Sequence, residues 1–198
     1  DRVSETPTIL YSPTFSKNIT SASHLLGTID KLAGSKPWNW IITFHPKLDD
    51  PKLIEAYKEL EKRHANVSFQ HINKGLETFR QIDVMLCDSS SLIVEVLMLE
   101  KPVVTFRNTH PGNYLIDVLQ EDEVGDAIEK ALQHPADLME NIREYTMHHE
   151  RHRDGLNSLR VLEAVDDFIA NYKGKIKRKP LNLIRKIKLR LKLKYYHW

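Results

Sequence analysis

Three serines follow an aspartate at Asp88-Ser89-Ser90-Ser91, directly after the apolar run Val84 to Cys87 and before a helix-like pattern. One hydroxyl is enough to cap a helix. Three in a row, with their backbone N–H groups at a helix N-terminus, suit a phosphate. Asp88 itself repels phosphate and reads as a brace for the turn rather than a catalytic group. His45 directly follows Ile41-Ile42-Thr43-Phe44, and Pro46 keeps it out of helical conformation. An imidazole leaving a buried strand there can hydrogen-bond a phosphate or protonate a departing one; the plainer alternative is a satisfied structural histidine. Ser12 and Thr14 stand after the apolar run Ile9 to Tyr11 and add two more hydroxyls. Glu95, one turn beyond Ser91, offers two acceptor oxygens to a ribose diol, or simply faces solvent. Asp154 and Gly155 open another helical pattern, where the carboxylate is expected to cap and Gly155 to Ser158 to present N–H groups and hydroxyls.

Other chemistries lack their residues. His148 and His152 have i, i+4 spacing, but Arg151 and Arg153 flank them and no ligand beyond Glu150 stands at a suitable distance in sequence. That run reads as the end of a helix, and no metal is expected. The chain has no GxGxxG fingerprint, phosphate-binding Walker loop or GxSxG elbow, and no cofactor is implied.

These groups need elements to hold them. Short apolar, β-branched runs at 8–11, 38–44, 67–70, 84–87 and 102–106 read as strands. Helical spacing occupies 21–35, 51–64, about 75–80, and then 121–133, 136–150 and 155–172. Strands alternating with helices predict an α/β fold: a Rossmann-like parallel sheet flanked by helices, with its ligand at the carboxyl ends of the strands. Ser12-Pro13-Thr14, His45-Pro46 and the serine turn all fall at such ends.

The net charge of +2 conceals a segregation. Eleven Lys and Arg and no acid lie between Lys173 and Trp198, leaving 18 basic residues against all 27 acids, a net of −9, in residues 1–172. We therefore expect a Rossmann-like domain over 1–172 and a basic amphipathic tail over 173–198. In the tail Ile184, Ile187, Leu191 and Tyr195 share one helical face, although residues 187–194 also alternate with period two. An interfacial helix on an anionic membrane, carried by residues 174–198, is the preferred reading over nucleic acid or a solvated tail. The single cysteine, Cys87, sits in an apolar run, as expected for a buried thiol in a reducing compartment. A cytoplasmic location, peripheral on the inner face of the membrane, is the expectation.

In this order the segments Ile9 to Phe15, Phe44-His45-Pro46, Asp83 to Ser91, Lys101-Pro102 and Asp154 to Val161 resemble the CDP-glycerol glycerophosphotransferase family, the teichoic-acid-type polymerases and primases. The resemblance spans roughly residues 8–170. It implies the C-terminal, nucleotide-binding half of a GT-B enzyme that moves glycerol phosphate from CDP-glycerol to a polymeric or lipid-linked acceptor. By that resemblance His45 contacts or protonates the donor phosphate, Ser89, Ser90 and Ser91 hold the pyrophosphate, and Asp154 with Gly155 lines the same pocket. The run Glu95 to Thr109 is similar instead to UDP-N-acetylglucosamine 2-epimerases, which place a ribose-binding Glu upstream of such a run. That leaves an epimerase or an ordinary nucleotide-sugar glycosyltransferase as the alternative enzyme, and a membrane-docked, non-catalytic nucleotide-binding module as the alternative of another class. A GT-B site lies between two domains, so an N-terminal acceptor domain is expected on a longer chain or another subunit.

Overall fold

The computed structural model describes residues 6–70, 75–175, 177 and 180–195. The chain divides into two compact units, 1–151 and 152–198. In the first unit six strands form one sheet: β1 (Thr8–Tyr11), β2 (Asn39–Thr43), β3 (Val67–Gln70), β4 (Val84–Cys87), β5 (Val103–Phe106) and β6 (Ile116–Val118). Their order is β3-β2-β1-β4-β5-β6, and every neighbouring pair is parallel. The chain winds outward from β1 in one direction and from β4 in the other. The order reverses between these two strands, so their exit loops diverge and leave a crevice at their carboxyl ends.

Continuous apolar runs suit strands that are covered on both faces, and helices supply the covers. On one face α1 (Ala22–Ser35), α2 (Pro51–Arg63) and α5 (Val124–Leu132) bury Leu25, Ile29, Tyr57, Leu60 and Ile128 against Ile9, Tyr11, Ile42, Leu86 and Val104. On the other, α3 (Gly75–Gln81), α4 (Leu92–Leu97) and α6 (Ala136–His149) bury Phe79, Ile93, Val96, Leu97, Leu138 and Ile142 against Leu10, Met85, Cys87 and Val103. The period-two alternation within each strand sends neighbouring side chains to opposite cores. Each large side chain so buried contributes about 1.5–3 kcal/mol. Cys87 belongs to the second core, is 0% exposed, and burial pushes its thiol pKa well up.

Helix ends follow local chemistry. Asp50 caps α2 by accepting the Leu53 N–H at 3.0 Å, with Pro51 at the first helical position. The 121–133 pattern resolves into a 3-10 turn at Glu121–Glu123 followed by α5.

The second unit contains α7 (Asn157–Tyr172) and α8 (Leu183–Leu193). In α8 the residues Leu183, Ile184, Ile187 and Leu191 are exposed on one arc, with Lys188 and Arg190 beside it. Lys177 and Pro180 to Tyr195 are the described part of the 174–198 tail segment beyond Lys175; the remainder lies outside the described residues. Among the described residues no helix is long and apolar enough to cross a membrane.

Candidate functional site at the carboxyl edge of the sheet

The crevice between β1 and β4 is organised by one carboxylate. Asp88 leaves β4 fully buried, at 0% exposure. It accepts the Thr14 N–H at 2.9 Å, the Ser21 N–H at 2.8 Å and the Ser21 hydroxyl at 2.9 Å. Because the Ser21 proton is given to Asp88, the buried Tyr11 phenol donates to Ser21 Oγ at 2.9 Å. Ser21 stands at the start of α1 and makes no side-chain cap, since its hydroxyl already serves Asp88. Desolvation raises the Asp88 pKa above the ordinary carboxylate value, and the hydrogen bonds from Ser21, Thr14 and Ser89 oppose that rise. Asp88 is thus a brace that moors the whole 12–21 loop to β4. The serines that follow it lie nearer the surface, Ser89 and Ser90 half-buried and Ser91 exposed.

Their engagement differs. Ser89 is half-buried; its Oγ accepts the Thr109 N–H at 2.9 Å and pairs with Thr109 Oγ1 at 3.0 Å. Ser90 Oγ accepts from Leu92 N–H at a long 3.3 Å and keeps its proton to donate. Ser91 is exposed at the start of α4 and forms no side-chain cap. Capping therefore does not consume the triplet. Asn108 closes the far side, its amide donating to the Asp88 carbonyl at 3.1 Å.

His45 emerges exposed from the end of β2. Its Nδ1 accepts the Lys47 N–H at 3.0 Å, which leaves Nε2 as the ring nitrogen for a ligand. The Phe15 ring lies 4.5 Å from the imidazole, and the Lys47 ammonium sits 5.5 Å from the Phe15 centroid. Phe15 is adjacent to Thr14, whose N–H Asp88 holds. One chain of contacts therefore runs from the serine turn through Asp88, Thr14 and Phe15 to His45.

Ser12 lies beneath this surface, 2% exposed, with its Oγ accepting from Thr43 Oγ1 at 3.2 Å. Glu95 is exposed in the first turn of α4. Asp154 and Gly155 belong to the second unit. There Asp154 accepts the Leu156 N–H at 3.0 Å and a two-pronged bond from Arg160 at 2.8 and 2.5 Å. The hydrogen bond from Arg160 is the main reason its pKa is pushed well below the ordinary value. Gly155 takes a φ of 76°, a left-handed turn that suits glycine. The 155–172 helix accordingly begins at Asn157.

Sequence reasoning missed Ser21, Phe15, Lys47, Asn108 and Thr109. Ser21 carried a signal, a serine just before an apolar helical pattern, but that signal points to a cap. Among the described residues no three His, Cys, Asp or Glu side chains group to hold a metal ion.

No family model and no curated protein matches the chain. Solved structures do. The wall teichoic acid polymerase TagF matches with a TM-score of 0.55 and 13% identity, over 86% of this chain and 46% of that one. The UDP-GlcNAc 2-epimerase from Neisseria meningitidis, bound to UDP-GlcNAc, matches with a TM-score of 0.52 and 15% identity, over 69% of this chain and 38% of that one. The C-terminal CMP-Kdo binding domain of WaaA from Acinetobacter baumannii matches with a TM-score of 0.51 and 14% identity, over 70% of this chain and 88% of that domain. The chain spans less than half the length of TagF and of the epimerase. At these identities the likeness concerns the fold, and with the six-stranded parallel sheet it gives this one: an α/β, Rossmann-like half of the GT-B architecture.

Proposed function

We propose that the chain is the donor-binding half of a transferase that moves glycerol phosphate, or a related polyol phosphate, from a CDP-activated donor to a cell-surface polymer or its lipid-linked primer. The single observation that carries the reading is the pairing at the carboxyl edge. His45, with Nδ1 engaged by the Lys47 N–H and Nε2 left for a ligand, stands on the same braced loop system as the serine triplet. Ser89, Ser90 and Ser91 receive the diphosphate through hydroxyls and N–H groups. His45 donates Nε2–H to the phosphate that departs with the nucleotide, which is where negative charge grows during transfer. Thr14 supports that surface and Ser12 its floor, while Glu95 takes the ribose diol. The acceptor comes from a second domain, as a GT-B site requires.

A nucleotide-sugar glycosyltransferase or an epimerase acting on UDP-N-acetylglucosamine is the second reading, favoured by the exposed Glu95 and by the fold shared with an epimerase bound to UDP-GlcNAc. Calorimetric titration separates the two. CDP and CDP-glycerol are expected to bind the chain in preference to UDP-N-acetylglucosamine. His45→Ala is expected to weaken CDP about tenfold while the melting temperature holds, the loss of one hydrogen bond to a charged group. The reverse preference selects the sugar-nucleotide reading, and no binding at millimolar ligand removes the donor site.

We propose further that the chain docks on an anionic, inner membrane surface, where a lipid-linked acceptor would reside, and the exposed apolar arc of α8 supports that reading. The exposed Leu183, Ile184, Ile187 and Leu191 enter the interface and the flanking Lys and Arg reach the headgroups. Flotation with phosphatidylglycerol vesicles is expected to carry the wild type and to leave Ile187→Glu behind. Equal recovery of both contradicts the anchor.

A further inference from the structure

A pocket of about 250 Å³ opens beside the serine turn, and the diphosphate reading leaves it unused. Ser90, Ile93, Val94, Thr109, His110 and Tyr145 are among the residues that line it. Its outer wall is the 107–115 loop, and that loop is firmly built. The Asn108 N–H donates to Asp117 Oδ1 at 2.9 Å, Thr109 N–H donates to Ser89 Oγ at 2.9 Å, and Asn113 Nδ2 donates to Asn141 Oδ1 of α6 at 2.7 Å. Arg107 starts the loop in a left-handed conformation, φ 53°, and fastens it by donating Nε–H to the Leu119 carbonyl at 2.9 Å. A non-glycine residue held there is over-determined by its surroundings.

Size and surface chemistry narrow the occupant. Pockets for drug-sized molecules run to about 300–1,000 Å³, so this one has room for a single small group and not for a whole nucleotide. Its two tyrosines are already committed to one another. Tyr145 stacks on Tyr114 at 3.6 Å, and His149 flanks Tyr145 at 4.6 Å. Gly112 presses on the Tyr114 ring so closely that a Cβ there would lie 2.3 Å from a ring carbon. The two tyrosine rings are thus engaged with each other. The pocket presents instead an apolar wall, Ile93 and Val94, opposite polar edges: the Ser90 hydroxyl, the exposed His110 imidazole and the Tyr145 phenol. Burial, aided by the hydrogen bond with Tyr114, raises the pKa of that phenol. A wall of C–H contacts facing hydrogen-bonding edges matches a saturated, hydroxylated group.

We propose that this pocket seats the hydroxylated carbon group carried beyond the donor's diphosphate, a glycerol-sized polyol or one sugar ring. The proposal rests on the donor-site reading above, since Ser89 and Ser90 form the wall between the two. It assigns Val94 and His110 a specificity role that the phosphate contacts do not share. His110 hydrogen-bonds a hydroxyl of the group, and Val94 limits its bulk.

The test compares each nucleotide with its loaded form on the full chain, by calorimetry, in the wild type, His110→Ala and Val94→Phe. His110→Ala is expected to weaken CDP-glycerol about fivefold, one neutral hydrogen bond's worth, and Val94→Phe at least as much by filling the space of the group, with CDP changing less than about twofold in both. Melting curves that match the wild type show that the fold is kept; because the His110 side chain is exposed, that variant remains informative even where Val94→Phe destabilises the core. The same selective loss for UDP-N-acetylglucosamine relative to UDP instead identifies the group as a sugar and equally supports the pocket. Equal weakening of free and loaded nucleotide overturns the proposal, because the pocket then holds the nucleotide. Unchanged affinity for both loaded forms overturns it as well. Failure of every nucleotide to bind the wild type overturns the donor-site reading and this proposal together, and is distinguished by the wild-type titration alone.

Discussion

Strand β4 carries an aspartate at each end, and the two ends of the sheet use them differently. At the amino edge Asp83 accepts a single N–H, that of Thr8, at 2.7 Å. It pins the start of β1 and goes no further. The surroundings are an open cavity of about 910 Å³ that also involves Arg80, Lys101, Asn66 and Ser68. At the carboxyl edge Asp88 accepts from Thr14 and Ser21, fully buried, and through them fixes Phe15 against His45. The same device, a carboxylate on backbone N–H groups, does local stitching at one edge. At the other it sets the geometry of groups that are left with hydrogen bonds to give. Cavity volume favours the amino edge; the proposed donor site rests instead on the serine turn and His45 at the carboxyl one.

Removing the brace gives the largest expected effect. Asp88→Ala strands the Thr14 N–H, the Ser21 N–H and the Ser21 hydroxyl in a buried setting, and each orphaned donor costs about 1–3 kcal/mol. A loss of about 3 kcal/mol or more in urea unfolding is expected, together with loss of nucleotide binding. Asp83→Ala, with one donor at a half-buried position, is expected to cost about 1 kcal/mol and to leave binding intact. Equal costs at the two ends, or binding that survives Asp88→Ala at full strength, erase the distinction drawn between the edges.

A smaller effect appears as a sign in pH. The folded-state pKa of Asp88 is raised, so the folded chain holds that proton more tightly than the unfolded one. Its contribution is full below the ordinary value of 3.8 and is lost as pH rises through the folded value. The stability gap between wild type and Asp88→Asn is therefore expected to narrow as pH climbs from about 4. Asp30, at the surface between α1 and α2, behaves oppositely. His64 at 2.7 Å, and then Arg63 at 2.6 Å, hold its pKa below 3.8. Its contribution is present above that value and is lost as pH falls through the lowered one. The gap to Asp30→Asn is expected to close on acidification. Melting temperatures of the three proteins between pH 3 and 6 check both signs, and slopes of the same sign refute the assignment.

How much of this was legible in the sequence follows from the range of the interactions. Strands β1, β2, β4 and β5 announce themselves because burial on both faces makes each one a continuous apolar run. Strand β6 was not expected: Ile116–Val118 is too short to carry a period and is placed by pairing with β5. Ser89 to Ser91 and His45 were found because they stand where buried runs stop, a local signal. The brace itself is not local. Thr14 lies 74 residues from Asp88 and Ser21 lies 67 residues away, and no spacing rule within one element connects them. Phe15 and His45 are likewise joined only once β1 and β2 lie side by side. Sequence pattern supplies the strand ends, while sheet order decides which of them meet.

The central claim, that the carboxyl edge and not the amino edge receives a nucleotide diphosphate, is tested most directly by amide chemical-shift mapping during a CDP titration. The account predicts the largest shifts at Thr14, His45, Lys47 and Ser89 to Ser91, with Arg80, Asp83 and Lys101 unmoved. Shifts concentrated at those three amino-edge residues, or none anywhere at millimolar CDP, would contradict it.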